Sequence, residues 1–271
     1  MPASRNTEDL RRDPAAFDRD ALLAELFDLD IADVDGDLPF YEALAREAGG
    51  AVLELGAGTG RVAIALARAG LDVYGIDTAP SMIARAARNA GLDASQRLHL
   101  ACADMRDFVI EQQFGLAFAA FGTFHHLLTP EDQLACLRAA ERHLRPGGVF
   151  ACDLRPVWFA DWEEGESVPL LHDWTRVLPR TGETVLKFRT VRADIDRQLQ
   201  RETHVYDCLS PDGTLRRITN EVELRYATPA ELEELLREAG LRVEHVYGGF
   251  DRAPFDDDSE LMITVARKEA A

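Results

Sequence analysis

Residues 51–60 read A-V-L-E-L-G-A-G-T-G, an apolar strand that runs into a glycine-rich turn and the start of a helix. Gly56, Gly58 and Gly60 alternate, so the backbone can turn sharply and a ligand can approach where any Cβ would collide. The helix expected over residues 61–69 aims its unsatisfied N–H groups at whatever lies over the turn. Such a cradle suits an adenosine-containing cofactor. A dinucleotide fingerprint, G-x-G-x-x-G, would put its third glycine at position 61, where this chain has Arg61. The glycines form G-x-G-x-G instead, and the acid Glu54 precedes them.

Three further positions turn that motif into a site. Asp77 ends the second apolar run, 21 residues after Gly56, which sets a carboxylate beside the ribose of a nucleoside held over the turn. It can accept from both ribose hydroxyls, and such charge-assisted bonds are stronger than neutral ones. The competing use of Asp77 is to cap the helix that starts near Pro80, a task Thr78 or Ser81 could also perform. Asp104, in Ala103-Asp104-Met105, follows the third strand at the sheet edge where ligands bind, and could accept the adenine amino group. The run A-A-F-G-T-F-H-H, residues 119–126, leaves the fourth strand beside the same crevice and brings Phe121, His125 and His126 to it. A histidine titrating near pH ~6.5 can take a proton from an acceptor amine or hydroxyl. Adjacent residues at a strand end point different ways, so one of the two histidines should face the crevice.

The elements that must position these residues alternate between short apolar runs and helical periods, the pattern of a parallel sheet covered by helices. Strands are expected at 51–55, 71–76, 97–101, 116–121 and 149–153. Helices are expected at 80–89 and 131–144, the second capped by Thr129-Pro130 and stopped by Pro146-Gly147-Gly148. Between about 155 and 226 the helical signal gives way to Val, Thr, Arg and aromatics. Strands at 185–191, 200–208 and 215–225 are separated by the turn residues Thr181-Gly182 and Asp212-Gly213. A capped helix from Thr228-Pro229 to Gly240 and strands at 241–247 and 261–266 close the chain. The expected fold is α/β: a doubly wound, mostly parallel, seven-stranded Rossmann-like sheet with an antiparallel β insertion. It divides as an N-terminal acidic and helical segment (1–38), a cofactor-binding α/β domain (39–154 and 227–271) and the insertion (155–226).

With 30 basic against 48 acidic residues, the net charge of −18 repels phosphate backbones and anionic membranes, so neither nucleic acid nor membrane is an expected partner. Cys102, Cys136, Cys152 and Cys208 form no C-x-x-C pair, which fits a reducing cytoplasm. Asp28, Asp30, Asp33, Asp35 and Asp37 invite a calcium reading. A loop begun at Asp33, however, has Leu38 and Leu44 where glycine and glutamate are required. A solvated acidic segment is the expectation there, and no metal site.

Taken together these motifs resemble the class I S-adenosylmethionine-dependent methyltransferases. The likeness covers the strand-turn-helix of 51–60, the acid Asp77, Ala103-Asp104, the segment after the fourth strand, and Leu144-Arg145-Pro146-Gly147-Gly148. Asp37-Leu38-Pro39-Phe40-Tyr41 looks like the cofactor-covering segment of the bacterial small-molecule branch. The β insertion is similar to that of amino-sugar and glycine N-methyltransferase-like enzymes. Gly122 departs from the pattern, since related sequences often carry a polar residue such as asparagine there. The resemblance implies S-adenosyl-L-methionine as cofactor, held by Glu54, Gly56, Ala57, Gly58, Thr59, Gly60, Arg61, Asp77, Thr78, Met82, Ala103, Asp104, Met105, Phe121 and Tyr41. It implies transfer of methyl to nitrogen or oxygen of a small soluble metabolite, with His126 or His125 as base. Arg155, Trp158 and Trp162 could wall the acceptor pocket, with Tyr206 and Arg225 as weaker candidates. The insertion is open to two uses, a cover over the acceptor or a homodimer surface. Aligning acceptor, methyl and sulfur can supply about 7–11 kcal/mol, so no nucleophilic side chain is needed. A nucleoside-binding protein without catalysis, and a nicotinamide dehydrogenase, are the competing readings.

Overall fold

The computed structural model describes residues 19–94, 96–156 and 169–269. Helices α1 (Arg19–Asp30) and α2 (Leu38–Ala48) lead into β1 (Ala51–Leu55), α3 (Arg61–Arg68), β2 (Val73–Asp77), α4 (Pro80–Ala94) and β3 (Leu98–Cys102). Strand β4 (Phe114–Ala119), a 3₁₀ turn (Thr123–His126), α5 (Pro130–His143) and β5 (Leu144–Leu154) follow. The insertion holds β6 (Leu171–Val177), β7 (Thr184–Asp194), β8 (Leu199–Leu209) and β9 (Leu215–Arg225). Helix α6 (Pro229–Glu238), β10 (Leu241–Tyr247) and β11 (Met262–Lys268) complete the chain.

The main sheet has seven strands in the order β10-β11-β5-β4-β1-β2-β3. Strands β1 to β5 pair in parallel, and β11 lies antiparallel to both of its neighbours. Every residue of β1 is buried because helices cover both faces of the sheet. One face packs Leu53, Leu55, Phe124, Phe150 and Leu137 with α5 and α6. The other packs Val52, Leu116 and Phe118 with Tyr41 of α2 and Val62 and Leu66 of α3. The chain reverses its winding between β1 and β4, so a crevice opens there at the carboxyl ends of the strands.

The insertion forms a separate antiparallel sheet, β6-β7-β8-β9. Its fourth strand, β6, is an exposed edge whose register slips between His172 and Trp174, which is why Leu171–Val177 lacks a clear alternation. Pro146-Gly147-Gly148 does not stop α5. That helix ends at His143, Leu144 is already extended, and the Pro-Gly-Gly lies within β5, where the pairing with β4 shifts register.

The acidic N-terminal segment is not simply solvated. Of Asp28, Asp30, Asp33, Asp35 and Asp37, four have side-chain partners among the described residues. Asp28 meets Arg85 and Asn89, and Asp33 meets Arg176. Asp30 meets Lys187, Trp174 and Tyr206, and Asp37 meets Arg61. Helix α1 buries Leu22 and Leu26 against Leu178, Val185, Tyr206, Cys208 and Ile218 of the insertion, while Phe27 rests on Gly58 of the glycine turn. It therefore ties the two sheets together. Among the described residues, no helix is long and apolar enough to cross a membrane.

Candidate cofactor and active site

Strand β1 delivers the chain to a turn in which Gly56, Gly58 and Gly60 all have positive φ. Two of them would also crowd a neighbour if they carried a Cβ, most severely Gly56. A Cβ at Gly56 would stand 2.3 Å from the Thr123 methyl, and one at Gly60 would stand 2.8 Å from Ile64. The turn thus sits directly against the 3₁₀ turn after β4. Glu54 is 3% exposed, and one of its oxygens accepts from the Ala63 N–H at the start of α3. Its Oε2 has no partner, and neither does the buried Thr59 hydroxyl. Burial pushes the Glu54 carboxyl up to about 8, with Arg61 opposing that shift.

Asp77 stands at the carboxyl end of β2, half-buried. Its Oδ2 accepts from Gly58 N (2.9 Å) and its Oδ1 from Ala79 N (2.8 Å). Asp77 thus closes a local turn at the entry to α4 without capping the helix itself, and the same carboxylate fixes the glycine turn. Lone pairs remain on both oxygens, since a carboxylate has about four acceptor sites.

A methyltransferase-domain family model matches residues 52–148, the segment from β1 into β5. The cypemycin N-terminal methyltransferase of a Streptomyces species is 26% identical over 261 residues, covering 95% of this chain and 99% of that one. The solved CcbJ methyltransferase from Streptomyces caelestis is 27% identical, covers 90% of this chain and 96% of its own, and superposes with a TM-score of 0.73. The dTDP-4-amino-2,3,4,6-tetradeoxy-D-glucose N,N-dimethyltransferase of Saccharopolyspora spinosa is 30% identical over 147 residues, about half of each chain. The chain is an S-adenosylmethionine-dependent methyltransferase with the class I fold.

The residues of this methyltransferase fit that cofactor. The orphaned oxygen of Glu54 is an acceptor for an ammonium, and the Thr59 hydroxyl is a free partner for a polar group. The sulfonium supplies an electrophilic methyl when bound. Ala57 lies in the same turn, with its amide on the Ile76 carbonyl. Thr78 and Met82 sit at the mouth of α4, exposed and half-buried respectively.

Other expected contacts are placed differently. Arg61 is committed to Asp37, through 2.6 and 2.5 Å bonds, and to the Val34 carbonyl, so it anchors the N-terminal segment onto α3. Its guanidinium also lies 5.7 Å from the centre of the Phe121 ring. Tyr41 is fully buried, stacked on Phe118 and donating to Asp153, so it stands behind the crevice wall and cannot touch a ligand there. Both oxygens of Asp104 accept from Arg106, which holds its carboxyl below the usual range. An adenine contact would use its remaining lone pairs. Ala103 and Met105 are half-buried and pack against the core.

The histidine pair is resolved by geometry. His125 is 4% exposed: its Nδ1 lies 2.9 Å from the Arg225 carbonyl, and its Nε2 accepts from Arg155 N at 3.1 Å. Burial pushes its pKa down to about 4, so the neutral ring ties β5 and β9 to the 3₁₀ turn. Both nitrogens are occupied, and His125 is not a base. His126 is accessible in the crevice, where partial enclosure lowers its pKa while the carboxylates Asp77 and Glu202 oppose that shift.

Of the acceptor-wall candidates, Trp158 and Trp162 lie outside the described residues. Tyr206 is buried with its hydroxyl on Asp30, and Arg225 is buried against Gln133, Gln198 and Glu231, so both hold elements together. Sequence reasoning missed Glu202 on β8 and Asp153 at the end of β5.

Proposed function

We propose that this methyltransferase acts on a small soluble metabolite bound between the 3₁₀ turn and the antiparallel sheet, with His126 removing the proton. The observation that carries this reading is the placement of His126. It is accessible, neutral and flanked by Asp77 at the cofactor edge and Glu202 on the sheet, while its neighbour His125 is locked away. A crevice edged by two carboxylates, in a chain of net charge −18, draws cations in. That field favours an amine, which arrives protonated, over a hydroxyl. Two of the relatives named above are called N-terminal and N,N-dimethyl transferases, which supports nitrogen as the acceptor atom. The four cysteines are unpaired, in keeping with a cytoplasmic setting.

Orientation does most of the chemistry here, with the base adding about 10²–10⁴-fold. The test is release of S-adenosylhomocysteine over a panel of amines and matching alcohols, with His126→Ala beside the wild type. The expected result is turnover of amines that falls 10²–10⁴-fold in the variant with cofactor affinity unchanged. Wild-type turnover by His126→Ala would remove the base. Methylated tRNA or protein as the product would overturn the substrate class.

A further inference from the structure

Behind the crevice lies a buried carboxylate that the chemistry above does not use. Asp153 is 5% exposed and accepts three bonds: from Phe121 N (2.9 Å), from Gly122 N (3.2 Å) and from the hydroxyl of Tyr41. The two amides belong to consecutive residues that both have positive φ, +56° at Phe121 and +68° at Gly122. A bulky side chain is seldom found in that region, because it costs on the order of 1–3 kcal/mol. The next residue, Thr123, lies against Gly56 and opens the 3₁₀ turn that carries His126. Any change in the Phe121–Gly122 pair therefore moves the wall between the glycine turn and the acceptor side.

We propose that Asp153 is a positioning residue for methyl transfer: its carboxylate latches Phe121 and Gly122 in their left-handed conformation and so sets where His126 stands. This rests on the reading that the crevice between the glycine turn and the 3₁₀ turn is where methyl is transferred. Three donors converge on one buried group, and hydrogen bonds to a charged acceptor are the strong ones. A neutral carboxylic acid would hold the three donors more weakly, because it loses the charge assistance and part of the acceptor capacity of one oxygen.

The groups that face Asp153 are Tyr41 and Asp37 from α2, Arg61 from α3 and Cys152 beside it on β5. Burial pushes its pKa up to about 6, and the bonds from Tyr41, Phe121 and Gly122 oppose that shift. The latch is closed above that pH and opens as acid protonates it.

The test follows the backbone amide resonances of Phe121 and Gly122, and the ring resonances of His126, across pH. It uses the full-length protein saturated with S-adenosylhomocysteine. In the wild type the two amides move together, with a midpoint near 6 that the His126 ring also senses. In Asp153→Asn that step vanishes and the His126 titration curve shifts. In Tyr41→Phe the step survives with its midpoint raised, since the anion loses one donor. Amides that show no common step in the wild type, or a His126 curve unchanged in Asp153→Asn, overturn the proposal. The wild-type titration decides even if the variant fails to fold. Calorimetry on the same samples separates the two readings. No binding of S-adenosylhomocysteine would refute the cofactor site itself, whereas binding with an unmoved turn would refute only the latch.

Discussion

Glu54→Gln probes how the cofactor is held. In the free protein Glu54 is fully buried, has one unpartnered oxygen and titrates at about 8. If that oxygen receives the cofactor's ammonium, the carboxyl must ionise, and binding expels one proton wherever Glu54 is protonated beforehand. Affinity for S-adenosylhomocysteine should then rise about tenfold per pH unit on the acid side of 8. Two units below that value the cost is about 2.7 kcal/mol, or roughly 100-fold in affinity. The rise should flatten near pH ~8, where an α-amino group begins to lose its own proton. Calorimetry in two buffers of different ionisation enthalpy counts the released proton directly. Glu54→Gln should release none, match the wild type in acid and fall behind it near neutrality. The sign for stability runs the other way. A carboxyl raised from 4.5 to about 8 by folding stabilises the empty protein below 4.5, and that contribution is lost as pH rises through 8. The empty variant should therefore melt higher than the wild type by a margin that opens above pH 4.5, grows through neutrality and levels off above 8. A wild type that binds without releasing a proton, or a variant that keeps the pH slope, refutes the ammonium assignment.

Three other substitutions separate holding from chemistry. His125→Ala strips partners from the Arg225 carbonyl and the Arg155 N–H, at about 1–3 kcal/mol for each group left unpaired. Because folding lowers this histidine to about 4, its contribution is full above pH ~6.5 and lost as pH falls toward 4, a slope that urea titrations of the variant should lack. Asp77→Ala should weaken S-adenosylhomocysteine binding by about 1.5–3 kcal/mol while the protein stays folded. Unchanged affinity by calorimetry would remove the ribose role. Asp30→Ala leaves Lys187, Trp174 and Tyr206 without their shared carboxylate, so hydrogen exchange should accelerate in α1 while β1 to β5 keep their protection.

The parts of the fold that read clearly from the sequence are those where one local rule suffices. Ala51–Leu55 and Leu241–Tyr247 are apolar or alternating runs closed by turn residues, and the structure places both strands at those bounds. Thr228 forms its capping box with Glu231, as its spacing to that acid allows. Where a long-range partner decides, local pattern fails. The aspartates of 28–37 look like a solvated run because Lys187, Arg176, Trp174 and Tyr206, which neutralise or bind them, come more than a hundred residues later.

The same limit applies inside the site. Nothing local distinguishes His125 from His126. The choice is made by the Arg225 carbonyl and the Arg155 amide, which close on one ring and leave the other in the crevice. Tyr41 and Asp153 were separable only as a pair, since each looks like an ordinary residue until β5 and α2 bring them together. One signal was nevertheless present. Cys152-Asp153-Leu154 sets a charge in an otherwise apolar strand end, at the same sheet edge as Asp77. A carboxylate buried there must be bonded or protonated, and the donors within reach are the amides of the turn that follows β4. An acid interrupting a buried strand at the ligand edge thus points to a loop it holds, even before the loop is seen.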